Sequence, residues 1–174
     1  LPIETPAVPV HLYGRPSAWV GTRMIEDSAH AHGLPLNKLG LAACFSFYPT
    51  KNLGALGQAG AVVTNDVRLA QKIKEMRTHG ERGRFVHYEM TGNHRMDELQ
   101  AAILRVKLPY LIPWNQERRK IAARYNELLG DVRGIILPKD HPQHVYHAYA
   151  IRLKERDKLS RYLNDNSIQT AVRY

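Results

Sequence analysis

Along this chain, short apolar runs closed by Gly, Pro or acidic residues come first, and helically spaced apolar positions follow. Residues 7–13 (Ala-Val-Pro-Val-His-Leu-Tyr) read as a short buried strand closed by Gly14, and residues 22–25 as a second strand ending at Glu26-Asp27. Residues 42–48 form a third. Cys44, Ser46 and Tyr48 fall on one of its faces and Phe45 and Phe47 on the other, and Pro49 ends it because proline cannot donate to a ladder. Residues 60–64 give a fourth strand. Asp27 and Lys51 thus both lie at or just beyond the end of a strand.

Helical spacing takes over after Asp66, which is placed to cap a helix bearing Leu69, Ile73 and Met76 and running to Gly80. Residues 80–94 are loop-like, rich in Gly, Arg and His. Met96, Leu99, Ile103 and Val106 then mark one face of a helix with Asp97 and Glu98 in its first turn, and Pro109 ends or kinks it. Pro113 fits the first turn of a second helix that carries Trp114, Ile121, Tyr125 and Leu128 and stops near Gly130. Beyond it, residues 146–153 alternate as a half-buried strand, 155–163 suit a helix and 168–174 begin another strand. The order predicts an open, mostly parallel α/β sheet flanked by helices, with its site at the carboxyl ends of the strands. It divides into a large domain over 1–95, linking helices over 96–130 and the start of a small α/β domain over 131–174.

The composition, 44% hydrophobic and 24% charged over 174 residues, fits a chain that folds around its own core and excludes a disordered or fibrous one. No apolar run is long enough for a bilayer, and the first residues lack a basic segment followed by an apolar one, so no membrane partner is expected and the cytoplasm is the expected location. The single cysteine, Cys44, allows no intrachain disulfide. A formal charge of +9 suggests a phosphate-bearing partner. Arg82, Arg84 and Arg95, and then Arg118-Arg119-Lys120, cluster without any helix-turn-helix, RNP or zinc-finger pattern, so a nucleotide-linked small molecule is expected and nucleic acid is not. His30 with His32, or His141, His144 and His147, lack the cysteine or acid that would complete a zinc set, and no metal is expected.

The chemistry centres on Lys51. A lysine just past a strand, with an acid near the end of another, is the pair a pyridoxal-phosphate enzyme needs: an amine to bind the cofactor and a carboxylate to hold the ring nitrogen protonated. Read singly, each candidate has a plainer role. Lys51 could be an exposed lysine, Asp27 a turn cap, His30 a hydrogen-bonded core histidine, Ser46 a hydroxyl bonded to backbone, and Asn93 a residue that starts a helix.

Four blocks shift that balance: residues 26–33 (Glu-Asp-Ser-Ala-His-Ala-His-Gly), 43–54 (Ala-Cys-Phe-Ser-Phe-Tyr-Pro-Thr-Lys-Asn-Leu-Gly), 57–66 (Gly-Gln-Ala-Gly-Ala-Val-Val-Thr-Asn-Asp) and 92–102 (Gly-Asn-His-Arg-Met-Asp-Glu-Leu-Gln-Ala-Ala). In this order they resemble the signatures of the DegT/DnrJ/EryC1/StrS sugar aminotransferases, a branch of the fold-type I, aspartate-aminotransferase-like PLP-dependent enzymes. The resemblance implies pyridoxal 5'-phosphate as cofactor and Lys51 as the catalytic amine. It also implies Asp27 at the pyridinium nitrogen, His30 near the 3-hydroxyl, and Ser46 at the phosphate. Asn93 would reach the phosphate of a neighbouring subunit's cofactor, which implies a homodimer with shared sites. The implied reaction moves an amino group from an amino acid, L-glutamate by analogy, to a dTDP- or UDP-linked keto-6-deoxyhexose in amino-sugar biosynthesis. Family members with histidine in place of the lysine eliminate water instead, so Lys51 points to transamination. Residues 11–14 and 49–57 resemble members that aminate C3.

The chain departs from the family in extent. It opens after the amino-terminal part of the cofactor cup, leaves too few residues between Gly14 and Ile25 for a crossover helix, is short over 34–41 and stops before the last elements of the small domain. Gln58 and Ala59 stand where most members have an acid and a glycine. Residues omitted from the chain account for this with the site intact; the alternative is a noncatalytic remnant or a regulatory PLP-fold binding module.

Overall fold

The computed structural model describes residues 6–19, 23–35 and 40–173. Three strands, β1 (Ile25–Asp27), β2 (Ala42–Ser46) and β3 (Gly60–Val63), form one sheet in the order β1-β2-β3. β1 runs parallel to β2 and places Asp27 opposite Cys44, whereas β3 is antiparallel to β2 with Ser46 opposite Gly60. The sheet is therefore mixed among the described residues, where the sequence predicts mostly parallel pairing.

The strand expected over 7–13 is reduced to two parallel bridges, Ala7 to Met24 and Val10 to Asp27. Pro9 interrupts the donors of this edge, and the chain leaves it through a 3-10 turn, Leu12–Gly14, in which Tyr13 takes a positive φ of 59°. Gly14, with φ near +90°, follows, and a Cβ there would lie 2.7 Å from Val145 Cγ2 and 3.0 Å from His30 O. Only glycine fits between these two segments. Part of the second expected strand, residue 22, lies outside the described residues; Met24 and β1 carry the rest.

β2 ends at Ser46, and the chain turns at Pro49-Thr50 before Lys51, whose N–H donates to Tyr48 O at 2.9 Å. The loop from 47 to 59 is pinned at its base by Phe47 N–H to Ala59 O and Ala55 N–H to Phe47 O, both 2.8 Å. At Gly54 a Cβ would meet Pro49 O at 2.5 Å, so the loop closes tightly around Lys51 only with glycine there.

α1 (Val67–Met76) is capped by Asp66, whose Oδ1 accepts from Arg68 N–H and Leu69 N–H. α2 (Glu98–Lys107), a 3-10 turn at Leu108–Tyr110 and α3 (Leu111–Leu129) follow as a kinked helical pair. Leu104 and Leu111 pack with Leu53 and Ala55, joined by Phe47, Ala59 and Met96, so the core beneath the Lys51 loop is built from these helices. The faces differ from those predicted. On α2, Leu99 and Val106 are exposed, while Leu104 is buried, Gln100 accepts from Leu56 N–H and Lys107 Nζ donates to Gly54 O. On α3, Trp114, Ile121, Tyr125 and Leu128 are exposed; the buried side chains are Leu111, Asn115 and Ala122.

That polar inner stripe has a reason: α3 faces backbone. Arg118 donates to Tyr146 O (3.2 Å), Arg119 to His141 O (3.0 Å) and His144 O (2.9 Å), and Asn126 Oδ1 accepts from Tyr149 OH (2.6 Å). The two arginines satisfy carbonyls of a segment that forms no ladder. The strand expected over 146–153 is absent but for a bridge between Ile136 and Arg152, because Tyr146 adopts φ 43° and breaks the alternation. α4 (Arg156–Asp165) is present as expected, and no strand follows it over 168–173.

Candidate active site

Asp27 ends β1, on the same side of the sheet as its partner Cys44 and, two residues on, Ser46. Its Oδ1 accepts from Ala29 N–H at 3.0 Å, an Asx turn that starts the segment carrying His30. His30 is buried, its Nδ1 accepts from Tyr13 N–H at 3.3 Å, and its ring stacks on His147 with centroids 4.2 Å apart. Lys51, on the loop that follows β2, acts electrostatically on the same group.

The charges here act on one another. Burial lowers the Lys51 amine below the ordinary lysine value, Asp27 opposes that shift, and Arg173 adds to it. The His30 imidazole is lowered by burial first and by Lys51 next, with Asp27 opposing. His147 falls to about 3, from burial and then from His30, Lys51, Arg118 and Arg173. Asp27, His30, Lys51, His147 and Arg173 thus form one electrostatic neighbourhood in which the imidazoles are neutral near pH 7 and the amine gives up its proton more readily than a surface lysine. Cys44, opposite Asp27, has its thiol pushed up by burial and by that carboxylate, which keeps it protonated.

Behind this group lies a buried chain of amides. Asn52, next to Lys51, donates through Nδ2 to Asn115 Oδ1 and to Val145 O, both at 2.9 Å, while its Oδ1 pairs with His147 Nδ1 at 3.2 Å. Asn115 Nδ2 in turn donates to His32 O at 2.8 Å. The carbonyls of His32 and Val145 only accept, so both amides are oriented unambiguously, and His147 must carry its proton on Nδ1. The His32 ring is buried between Phe45 and Phe47 and lowered to about 4, chiefly by burial; among the described residues neither ring nitrogen has a partner of good geometry, and the Ser46 backbone only partly opposes the shift.

Of the residues singled out in the sequence, Asp27, His30 and Lys51 come together. Ser46 lies two residues beyond Cys44 at the end of β2, its Oγ accepting from Tyr48 N–H at 3.3 Å. Asn93 does not join them: it is exposed, bridges Thr78, and accepts from Arg95. The sequence reading passes over Tyr13, Asn52 and Arg173, and it considers His147 only as a metal ligand. Among the described residues no group of three His, Cys, Asp or Glu side chains is placed to hold a metal ion, and no helix is long and apolar enough to cross a membrane. For Asn52 the only signal was adjacency to Lys51; the others are brought in by residues far away in the chain.

A strand-end carboxylate within electrostatic reach of a half-buried lysine, beside a mixed sheet, defines the class of site, and comparison with known proteins gives the family. The model of the DegT/DnrJ/EryC1/StrS aminotransferase family matches residues 5–174, and the chain belongs to that family. It is 44% identical over 96% of its length to the erythromycin biosynthesis sensory transduction protein EryC1 of Saccharopolyspora erythraea, covering 50% of that protein. It is 39% identical over 96% of its length to the dTDP-3-amino-3,4,6-trideoxy-alpha-D-glucose transaminase of Streptomyces venezuelae, covering 48% of it. The crystal structure of NtdA from Bacillus subtilis with bound PMP superposes with a TM-score of 0.83 at 31% identity, over 96% of this chain and 43% of that one. The chain spans about half the length of the curated relatives it matches.

Proposed function

We propose that the protein is a pyridoxal-phosphate-dependent transaminase that moves an amino group from L-glutamate to a dTDP- or UDP-linked keto-6-deoxyhexose. The observation that carries this is the coupling of Lys51 to Asp27: a half-buried amine with lowered proton affinity, within electrostatic reach of a carboxylate fixed at a neighbouring strand end. Three relatives support it, being named as transaminases or aminotransferases of dTDP- or UDP-linked sugars.

The residues suit the cofactor. Asp27 would hold its ring nitrogen, neutral His30 would lie at its hydroxyl, and Ser46 would donate to its phosphate. When bound, the group supplies an electron sink for breaking a bond to hydrogen at the carbon that bears the amine. Asp27 would keep the proton on the ring nitrogen. Lys51 Nζ would hold the cofactor, and as a free amine it would be the base that takes the proton from the donor α-carbon and returns one to the acceptor side. In sum, the amino acid becomes a 2-oxo acid and the ketone an amine.

Asn93 supports a homodimer with shared sites. It lies exposed on the loop that also carries Phe85, Tyr88 and Met90, all largely or fully exposed, and is apart from the Asp27, His30 and Lys51 group. The division into a large domain over 1–95, linking helices over 96–130 and a smaller unit from 131 belongs to the same reading. Incubation with L-glutamate and a keto-sugar nucleotide should yield 2-oxoglutarate and amino sugar in equal amounts, and Lys51→Ala should abolish both. Failure of the unaltered protein to release 2-oxoglutarate with any dTDP- or UDP-linked keto-hexose would overturn the proposal.

A further inference from the structure

We infer that Asn52 is a positioning residue for Lys51, fastening the lysine's own backbone to α3 and to the 144–148 segment through the buried chain His147–Asn52–Asn115–His32. The inference rests on the reading of Lys51 as the cofactor-bearing amine.

Lysine has a long side chain with many rotamers, so the placement of its amine depends on how firmly the backbone beneath it is held. On the amino-terminal side that backbone is held by the turn bond from Lys51 N–H to Tyr48 O. On the carboxyl-terminal side it is held by Asn52. Asn52 is 4% exposed, and its side chain is bonded to three groups on two parts of the molecule: Asn115 on α3, and the Val145 carbonyl and His147 ring of the 144–148 segment. Its two N–H groups and its oxygen are all used, so no alternative orientation keeps the set. A cap or an ordinary loop bond would need one partner.

The chain of bonds also leads back to the other half of the site. His147, oriented by Asn52, stacks on His30, and His30 is held by the Tyr13 backbone three residues beyond Asp27. Gly14 leaves room for Val145 and His147 to approach this closely. The backbone that carries Lys51, on the loop after β2, and the segment that follows Asp27 at the end of β1 are therefore linked through His147 as well as through the sheet. Because buried polar networks lose most when only partly satisfied, removing one member should loosen all of them together.

The test uses two variants, Asn52→Ala and Asn115→Leu; the second leaves the residue next to Lys51 untouched. The first readout needs no catalysis: in cofactor-free protein, the rate of Lys51 acylation by acetic anhydride is followed against pH by mass spectrometry of its peptide. Both variants should move the midpoint upward, toward an ordinary lysine, by about half a pH unit or more. In the loaded enzyme kcat should fall about tenfold or more with the donor KM within about twofold, and the double variant should be no worse than Asn52→Ala alone. An unchanged midpoint and kcat with a lowered melting temperature would overturn the inference, as would failure of both variants to fold, since either assigns the network to stability alone. Borohydride reduction with pyridoxal phosphate separates the two proposals: if unaltered protein is labelled at Lys51 while the variants keep its pH profile, only the positioning role fails.

Discussion

The His147 imidazole lies 4.2 Å from that of His30, tilted by 20°, and its Nδ1 pairs with Asn52 Oδ1. Replacing it with alanine removes both the stacked ring and a donor to the buried Asn52 amide oxygen. His147→Ala should cost about 1–3 kcal/mol of folding stability, read as a drop in denaturant midpoint. His147→Asn, which can still donate to Asn52, should recover part of that loss.

The buried imidazoles set a pH dependence. His32 and His144 are lowered to about 4, and His147 to about 3, from an ordinary 6.5, each chiefly by burial. Between 6.5 and these values the unfolded chain binds protons that the folded chain does not, so stability falls as pH drops through this window and is unaffected by these groups above it. The slope is at most about 1.4 kcal/mol per pH unit for each group. Melting temperatures should decline from pH 7 toward pH 5, and His144→Gln should flatten the decline; a flat profile in the unaltered protein would count against neutral buried rings.

Gly14 and Gly134 both have positive φ, +90° and +85°, but differ in surroundings: a Cβ at Gly14 meets Val145 Cγ2 at 2.7 Å, while nothing lies within 4 Å at Gly134. Gly134→Ala should cost only the backbone term, about 1 kcal/mol. Gly14→Ala should cost about 1–3 kcal/mol more and also weaken cofactor retention, because it pushes the 145–147 segment from His30. Equal effects of the two changes on stability and cofactor content would argue against this packing.

Asp66 caps α1 with two bonds to its first turn and touches none of the site. Asp66→Ala should lower stability by about 1 kcal/mol and leave turnover per folded molecule unchanged, a control for the effects above.

The motif residues were the legible part of the chain. Asp27 and Lys51 could be placed at strand ends from apolar runs and Pro49 alone, and the Asp66 cap and α4 followed from local chemistry. What escaped the reading depends on distant partners. The inner face of α3 is polar because it satisfies the carbonyls of 141–146, so its apolar spacing pointed to Trp114 and Ile121 instead of Asn115 and Arg119. The alternation at 146–153 suggested a strand, but a ladder needs extended backbone at Tyr146, which turns. Asn52 and His147 meet across 95 positions, a contact that no local pattern encodes.

The most direct trial of Lys51 and Asp27 as a cofactor-binding pair is to incubate the protein with pyridoxal phosphate, reduce it with borohydride and map the label by peptide mass spectrometry. One pyridoxyl group per chain on Lys51 is expected, with labelling strongly reduced in Asp27→Ala and absent in Lys51→Ala. Label spread over surface lysines, or unaffected by loss of Asp27, would contradict it.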